Sequence, residues 1–194
     1  MKKFQNSKRS FTLVEMLTVV FLASLIIIAA YSVYLISYKA YQRNSASSEL
    51  TQNARIALER MSRDIRQAIE VLTALPADPE SSTPPSALKF QDGHNVWPAG
   101  GQIQYIEYYL AGTDLHRKLT HYAFPANPDD WVLWSTLDGE GTSPTEYTDS
   151  DQVKAENVTS LQFWGEETIT INLEVSNGTI TYPFQTKVLG RNVQ

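Results

Sequence analysis

Few side chains in this 194-residue sequence are of types that do chemistry, and their spacing limits what they can do. His94, His116 and His121 are the only histidines. His116 and His121 stand five apart, which on a strand sends them to opposite faces, so a shared metal is not expected. Each reads instead as a solvated or packed histidine. Asp129, Asp130, Asp149 and Asp151 fall in Pro125 to Asp151, a stretch rich in Pro, Asp, Gly and Ser. Calcium needs a spaced series of oxygen ligands with a turn glycine, and that pattern is missing, so a solvated acidic loop is expected. Trp131 and Trp134 could offer aromatic surface to a sugar or a partner protein, but on a strand they face opposite ways and at least one belongs in the core. Asn157-Val158-Thr159 and Asn177-Gly178-Thr179 fit a glycosylation pattern that is too common to carry a function. There is no glycine-rich phosphate loop and no Gly-x-Ser-x-Gly elbow, and the lack of cysteine excludes a thiolate ligand, a cysteine nucleophile and a disulfide. Neither a metal nor another cofactor is expected.

Glu15 stands apart from these. It sits at the entrance of Met16 to Tyr38, 23 residues without a charge, in which Thr18, Ser24, Ser32 and Ser37 are the only aliphatic hydroxyl residues. A helix needs about 20 apolar residues to cross a bilayer. A soluble core helix is rarely apolar on every face for so long, and a secretory signal has a shorter apolar run followed closely by a small-x-small cleavage site. Ser45-Ala46-Ser47 imitates such a site but lies beyond Lys39 and Arg43. A carboxylate in hydrocarbon costs on the order of 2.5 to 3.5 kcal/mol on insertion scales, so Glu15 is expected to have a partner or a role.

The net charge of −5 hides a partition. Residues 1–10 are +4, residues 39–69 are +3, and residues 70–194 are −11. Basic residues ahead of an apolar helix keep its N-terminus in the cytoplasm, so the acidic body is expected outside. A body of that sign disfavours nucleic acid as a partner.

Around Glu15 the sequence reads Lys8-Arg9-Ser10-Phe11-Thr12-Leu13-Val14-Glu15-Met16-Leu17. This resembles the class III signal of the type IV pilin and type II secretion pseudopilin superfamily: a short basic leader, a small residue, then Phe-Thr-Leu-x-Glu opening a long apolar helix. The resemblance implies that a prepilin peptidase cuts between Ser10 and Phe11 on the cytoplasmic side and methylates the new amine. It implies that Glu15, fifth after the cut, meets the amine of a neighbouring subunit's Phe11 during assembly. Most relatives have Gly before the cut, and Ser10 departs from them.

These residues must be positioned by a long helix. No Pro or Gly occurs between Phe11 and Leu75, and Ala54, Leu58, Met61, Ile65, Ala68, Ile69 and Leu72 recur at steps of three and four. One helix from about Phe11 to Leu72 is expected, roughly 90 Å long, with Arg55, Glu59, Arg63, Arg66 and Gln67 opposite the apolar stripe and Glu59 spaced to pair with Arg63. The Pro- and Ser-rich stretch Pro76 to Pro85 ends it. Strands are then expected over Ala87 to Gln91, Gln102 to Leu110, Leu115 to Phe124, Val158 to Trp164, Thr168 to Val175 and Thr179 to Thr186, with a turn at Ser176-Asn177-Gly178.

The expected fold is α+β, a long N-terminal helix packed on an antiparallel sheet. Its divisions are a leader at 1–10, a transmembrane helix at 11–38, an amphipathic continuation at 39–75 and an exported β-rich domain at 76–194. That order is again pilin-like. Asn53 to Ala68 resembles the helix of J-type minor pseudopilins and W-type minor pilins, and Thr186 to Asn192 is similar to their C-terminal strand. The resemblance implies a minor pilin or pseudopilin that initiates or caps a type IV pilus or a type II secretion pseudopilus. The chain would be a structural subunit and not an enzyme. Implied partners are the prepilin peptidase, other pilins through the helix, an inner-membrane assembly platform, and membrane lipid before assembly. The place is the bacterial inner membrane, crossed once, with the C-terminal domain periplasmic or extracellular. The alternative is an exported binding module or enzyme that uses the helix only as a tether.

Overall fold

A computed structural model describes residues 12–93 and 102–190. One helix, α1, runs Leu13–Gln67, and the chain divides into two compact units, Met1–Ala46 and Ser47–Gln194. In the second unit the α1 residues from Leu50 onward bury one face: Leu50, Ala54, Ala57, Leu58, Met61 and Ile65 all enter the core. These are the positions that steps of three and four place together. Arg55, Glu59, Arg63 and Arg66 stay exposed, and the Arg63 guanidinium lies 3.3 Å from the Glu59 carboxylate.

The helix stops at Gln67 and does not reach Leu72. Ala68, Ile69 and Leu72 keep the helical spacing, but beyond Gln67 the backbone finds other partners. Ile69 N–H donates to Gln91 O, Leu72 N–H to Lys89 O, and Gln91 N–H returns to Glu70 O. A bridge between Val71 and Phe90 fixes this short pairing. Gly93 permits the crossing, because a Cβ there would collide with the carbonyl of Gln67 at the helix end.

Among the described residues eight strands follow, all paired antiparallel. The first five are β1 Leu88–Gln91, β2 Tyr105–Ala111, β3 Asp114–Phe124, β4 Asn127–Val132 and β5 Thr145–Ala155. β1 pairs β2 and β2 pairs β3; β4 takes over the edge of β3 that β2 leaves beyond Thr120, and β5 covers the opposite edge of β3. A second sheet has the order β6 Val158–Trp164, β7 Thr168–Ser176, β8 Thr181–Leu189. So the single antiparallel sheet is in fact two. The long excursion expected at Pro125 to Asp151 is a correction too: it contains all of β4 and most of β5, strands too polar to show apolar alternation.

Both sheets contribute to one core with α1, through Phe90, Ile106 and Tyr108 from the first and Phe163, Ile169 and Ile171 from the second. Each large apolar side chain fully removed from water contributes about 1.5 to 3 kcal/mol. Gly165 closes the β6–β7 turn at φ +108°, where a Cβ would strike the Thr168 carbonyl, and its N–H donates to Pro76 O at 2.8 Å.

A charged side chain of α1 enters this core. Asp64 on α1 is 1% exposed. It accepts from Arg117 Nε on β3 at 2.7 Å and from the Tyr108 hydroxyl on β2 at 2.8 Å, while Arg60 Nε lies 3.4 Å away. Burial, and then the Asp64 charge beside it, pushes the Tyr108 hydroxyl far above its ordinary range. Removing one member of a buried pair leaves the other charge uncompensated, which costs about 3 to 5 kcal/mol. Asp64→Ala should therefore lower the urea midpoint of the full chain in detergent, followed by tryptophan fluorescence, by that equivalent. Asp64→Asn, which keeps acceptor capacity, should lower it less. An unchanged midpoint for both would remove the cluster from the list of stabilising contacts.

Candidate functional site

The N-terminal half of α1 presents its apolar side chains outward. Leu13, Val14, Leu17, Val20, Ile26 and Ile36 are all more than half exposed, and the most apolar 18-residue window of the helix is wholly unburied. Contiguous apolar surface on this scale is not tolerated by a soluble monomer and calls for hydrocarbon or other helices. Three of the four aliphatic hydroxyls inside the run bond back to the helix: Thr18 Oγ1 donates to Glu15 O at 2.9 Å, Ser24 Oγ to Phe21 O at 2.7 Å, and Ser32 Oγ to Ile28 O at 2.9 Å. In a medium without water that is where such groups must bond. At the far end Tyr31, Tyr34, Tyr38 and Tyr41 lie exposed among Lys39 and Arg43, with the Tyr34 and Tyr38 rings stacked at 6.1 Å. Aromatic and basic residues gathered at one end of an apolar helix suit the headgroup level of a membrane.

Glu15 occupies the first turn. Thr12, just ahead of Leu13, donates its N–H to Glu15 Oε2 at 2.9 Å and its hydroxyl to the same oxygen at 3.1 Å, and Glu15 N–H donates to Thr12 Oγ1 at 3.3 Å. This reciprocal arrangement is a capping box, which satisfies N–H groups that the start of a helix leaves open. Thr-x-x-Glu before an apolar run announces it, and sequence reasoning that fixed on the carboxylate's cost in lipid passed over Thr12. Ser10 and Phe11, the expected cleavage and methylation residues, lie outside the described residues, as does His94.

Residues 5–31 match the family model described as the prokaryotic N-terminal methylation motif. The chain carries that motif. Ahead of a membrane-length apolar helix and an α+β body, it is consistent with the type IV pilin and pseudopilin superfamily, and it implies processing by a prepilin peptidase and anchoring through the N-terminus. No curated protein matches the chain closely enough to extend this to a subtype.

The other candidates resolve into structural pairs on β3 and β5. His116 Nδ1 lies 2.8 Å from Asp151 Oδ1, and His121 Nδ1 lies 2.7 Å from Asp149 Oδ1, so the two histidines serve different carboxylates. Asp149 and Asp151 are thus strand residues with partners, not a solvated loop; Asp129 and Asp130 lie exposed on β4. The His121 ring stacks on Trp131 at 4.2 Å and on Tyr147 at 5.4 Å. Trp131 is half-buried, whereas Trp134, beyond the end of β4, stays 41% exposed although its N–H donates to the Tyr105 hydroxyl. Among the described residues no three His, Asp or Glu side chains gather as a metal would require.

Two carboxylates on β5 contribute to the pH response. The Tyr109 hydroxyl donates to Asp151 at 2.6 Å and holds its carboxyl below the usual range, helped by His116; the same bond lifts the Tyr109 hydroxyl up to about 12. Burial alone would raise Glu146, but Lys89 at 2.9 Å and Lys118 at 3.4 Å hold it below its usual value. Carboxyls that titrate lower folded than unfolded contribute fully above the unfolded value and lose that contribution as pH falls through the folded one. Stability should therefore decline below about pH 4.5. The pair Glu146→Gln and Asp151→Asn should flatten that limb of a denaturation series against pH, and a limb of unchanged slope would assign acid sensitivity to other groups.

Proposed function

We propose that the chain is a minor pilin or pseudopilin, a structural subunit that initiates or caps a type IV pilus or a type II secretion pseudopilus, and that it is not an enzyme. The observation that carries this reading is the wholly unburied apolar half of α1 directly behind the methylation motif. Such a helix has two compatible surroundings, lipid and a bundle of like helices, and an assembling subunit moves between them. Lys2, Lys3, Lys8 and Arg9 hold the leader in the cytoplasm and send the acidic body outward across the inner membrane. The prepilin peptidase cuts between Ser10 and Phe11 and methylates Phe11; other pilins and an inner-membrane assembly platform are the later partners. The minor role rests on the resemblance of Asn53 to Ala68 and of Thr186 to Asn192 to J-type pseudopilins and W-type pilins.

Glu15 is the assembly residue in this reading. An ionised group in a helix bundle is tolerated when an opposite charge offsets its desolvation, and the Phe11 amine of a neighbour supplies one. Among the described residues only Thr12 engages the carboxylate, through Oε2, and Oε1 is the oxygen this reading gives to that amine.

Mass spectrometry of the protein from a host with prepilin peptidase should find Phe11 as the N-terminus, bearing a methyl group. Recovery of intact Met1 chains alone, or of a start after Ser47, would refute the processing step. Glu15→Val should leave membrane insertion and cleavage intact while sharply reducing recovery of the chain with sheared filaments; Glu15→Asp should retain part of it. Replacing Phe11 to Tyr38 by an unrelated apolar span separates subunit from tether, since a bilayer demands mainly length and apolarity. Full function after that exchange would favour the tethered binding module or enzyme.

A further inference from the structure

The turn between β7 and β8 carries a reactive dipeptide. Asn177 is the one asparagine of the sequence that is followed by glycine. Asn177, Gly178, Thr179 and Ile180 are all exposed. A side chain on the residue after an asparagine shields that residue's amide nitrogen, and here there is none. Gly178 holds φ at +83°, and nothing lies within 4 Å of where its Cβ would stand. Its nitrogen is open to solvent beside the Asn177 carboxamide.

The hydrogen bonds of the turn favour attack by that nitrogen. Asn177 Oδ1 accepts from Thr179 N–H at 3.0 Å and from Ile180 N–H at 2.9 Å. Two backbone donors on one carbonyl oxygen draw electrons from its carbon and stay in place as negative charge develops on the oxygen, the arrangement that stabilises tetrahedral intermediates of acyl transfer. They also hold the carboxamide against the backbone of its own turn. Gly178 N–H donates to Ser176 Oγ at 3.1 Å, so the nitrogen that must lose a proton already has an acceptor for it.

We propose that Asn177 is a self-modifying site, converted without an enzyme to aspartate and isoaspartate with solvent water as co-reactant. The Gly178 nitrogen gives up its proton to solvent through the Ser176 hydroxyl and forms a bond to Asn177 Cγ. The carbonyl electron pair moves onto Oδ1, where the two N–H groups meet it. Its return breaks the Cγ–Nδ2 bond, and Nδ2 takes up a proton and leaves as ammonia. Water then opens the five-membered imide. Opening at Cγ gives aspartate, and opening at the main-chain carbonyl gives isoaspartate, whose backbone runs through Cγ. One water enters, one ammonia leaves, and nothing is oxidised or reduced. Either product adds a negative charge to the turn, and isoaspartate lengthens by one carbon the connection that sets the Ser176–Thr181 pairing. The site goes beyond the assembly reading and does not rest on it.

Full-length protein in detergent, held at mildly alkaline pH, is followed by peptide mass spectrometry with methyl labelling of isoaspartate. Asn177 should convert while Asn157 and Asn172, followed by Val158 and Leu173, keep their amides. Gly178→Ala should slow the conversion by about tenfold or more, as displacing an attacking atom does. Alanine also strains the turn, so the parent chain unfolded in guanidinium chloride is the second comparison. It keeps the dipeptide, loses the hydrogen bonds, and should convert no faster than the folded chain. A folded chain that keeps Asn177 intact, converts it more slowly than the unfolded chain, converts Asn157 and Asn172 alike, or is indifferent to Gly178→Ala overturns the proposal.

Discussion

The second unit depends on what Asp64 demands. A carboxylate 1% exposed in an apolar core is tolerable only when several donors converge on it, and Arg117, Tyr108 and Arg60 do. Those donors come from β3, β2 and α1 itself, so satisfying one charge fixes where the helix crosses the first sheet and in which rotation. Apolar packing of Met61 and Ile65 alone would tolerate a slide or a turn of the helix more readily, since dispersion and burial have little direction. A polar cluster that must be complete or costly has direction.

The two halves of α1 answer to different solvents. From Leu50 to Ile65 the apolar residues, the exposed Ile56 apart, keep to one stripe because the other face meets water, whereas from Leu13 to Tyr38 they occupy every face. No break marks the change, since helical backbone bonding is equally complete in both settings. What changes is the treatment of polar atoms. In the first half hydroxyls fold back onto carbonyls and Glu15 is taken up by Thr12; in the second, Glu59 and Arg63 pair in the open.

Elements with strong period were legible in the sequence. Val158–Trp164 has its observed bounds, the stripe from Ala54 to Ile65 is buried as its spacing implies, and the Asn177-Gly178 turn stands, with Asn177 Oδ1 accepting from Thr179 and Ile180 N–H. Three things were not. The end of α1 at Gln67 is decided by β1, whose backbone offers partners that no local pattern records. β4 and most of β5 were hidden because their cross-strand contacts are ionic and aromatic, as in His121 with Asp149 and Trp131, and such pairs leave no alternation of apolar residues. Asp64 looked like one more charge on a helix; its burial follows from Arg117, 53 residues away. At the N-terminus the position of Glu15 was legible and its partner Thr12 was not, although Thr-x-x-Glu was in view.

Charge is sorted along this chain by what each segment must face. Residues 1–10 are basic, the apolar run from Met16 to Tyr38 is free of charge, the solvent face of α1 beyond Leu50 is rich in arginine, and residues 70–194 are acidic. Sorting of this kind has a consequence for the bodies. Opposite charges on one rigid unit that lie too far apart to pair are satisfied by water when the unit is alone, at small cost, because each remains exposed.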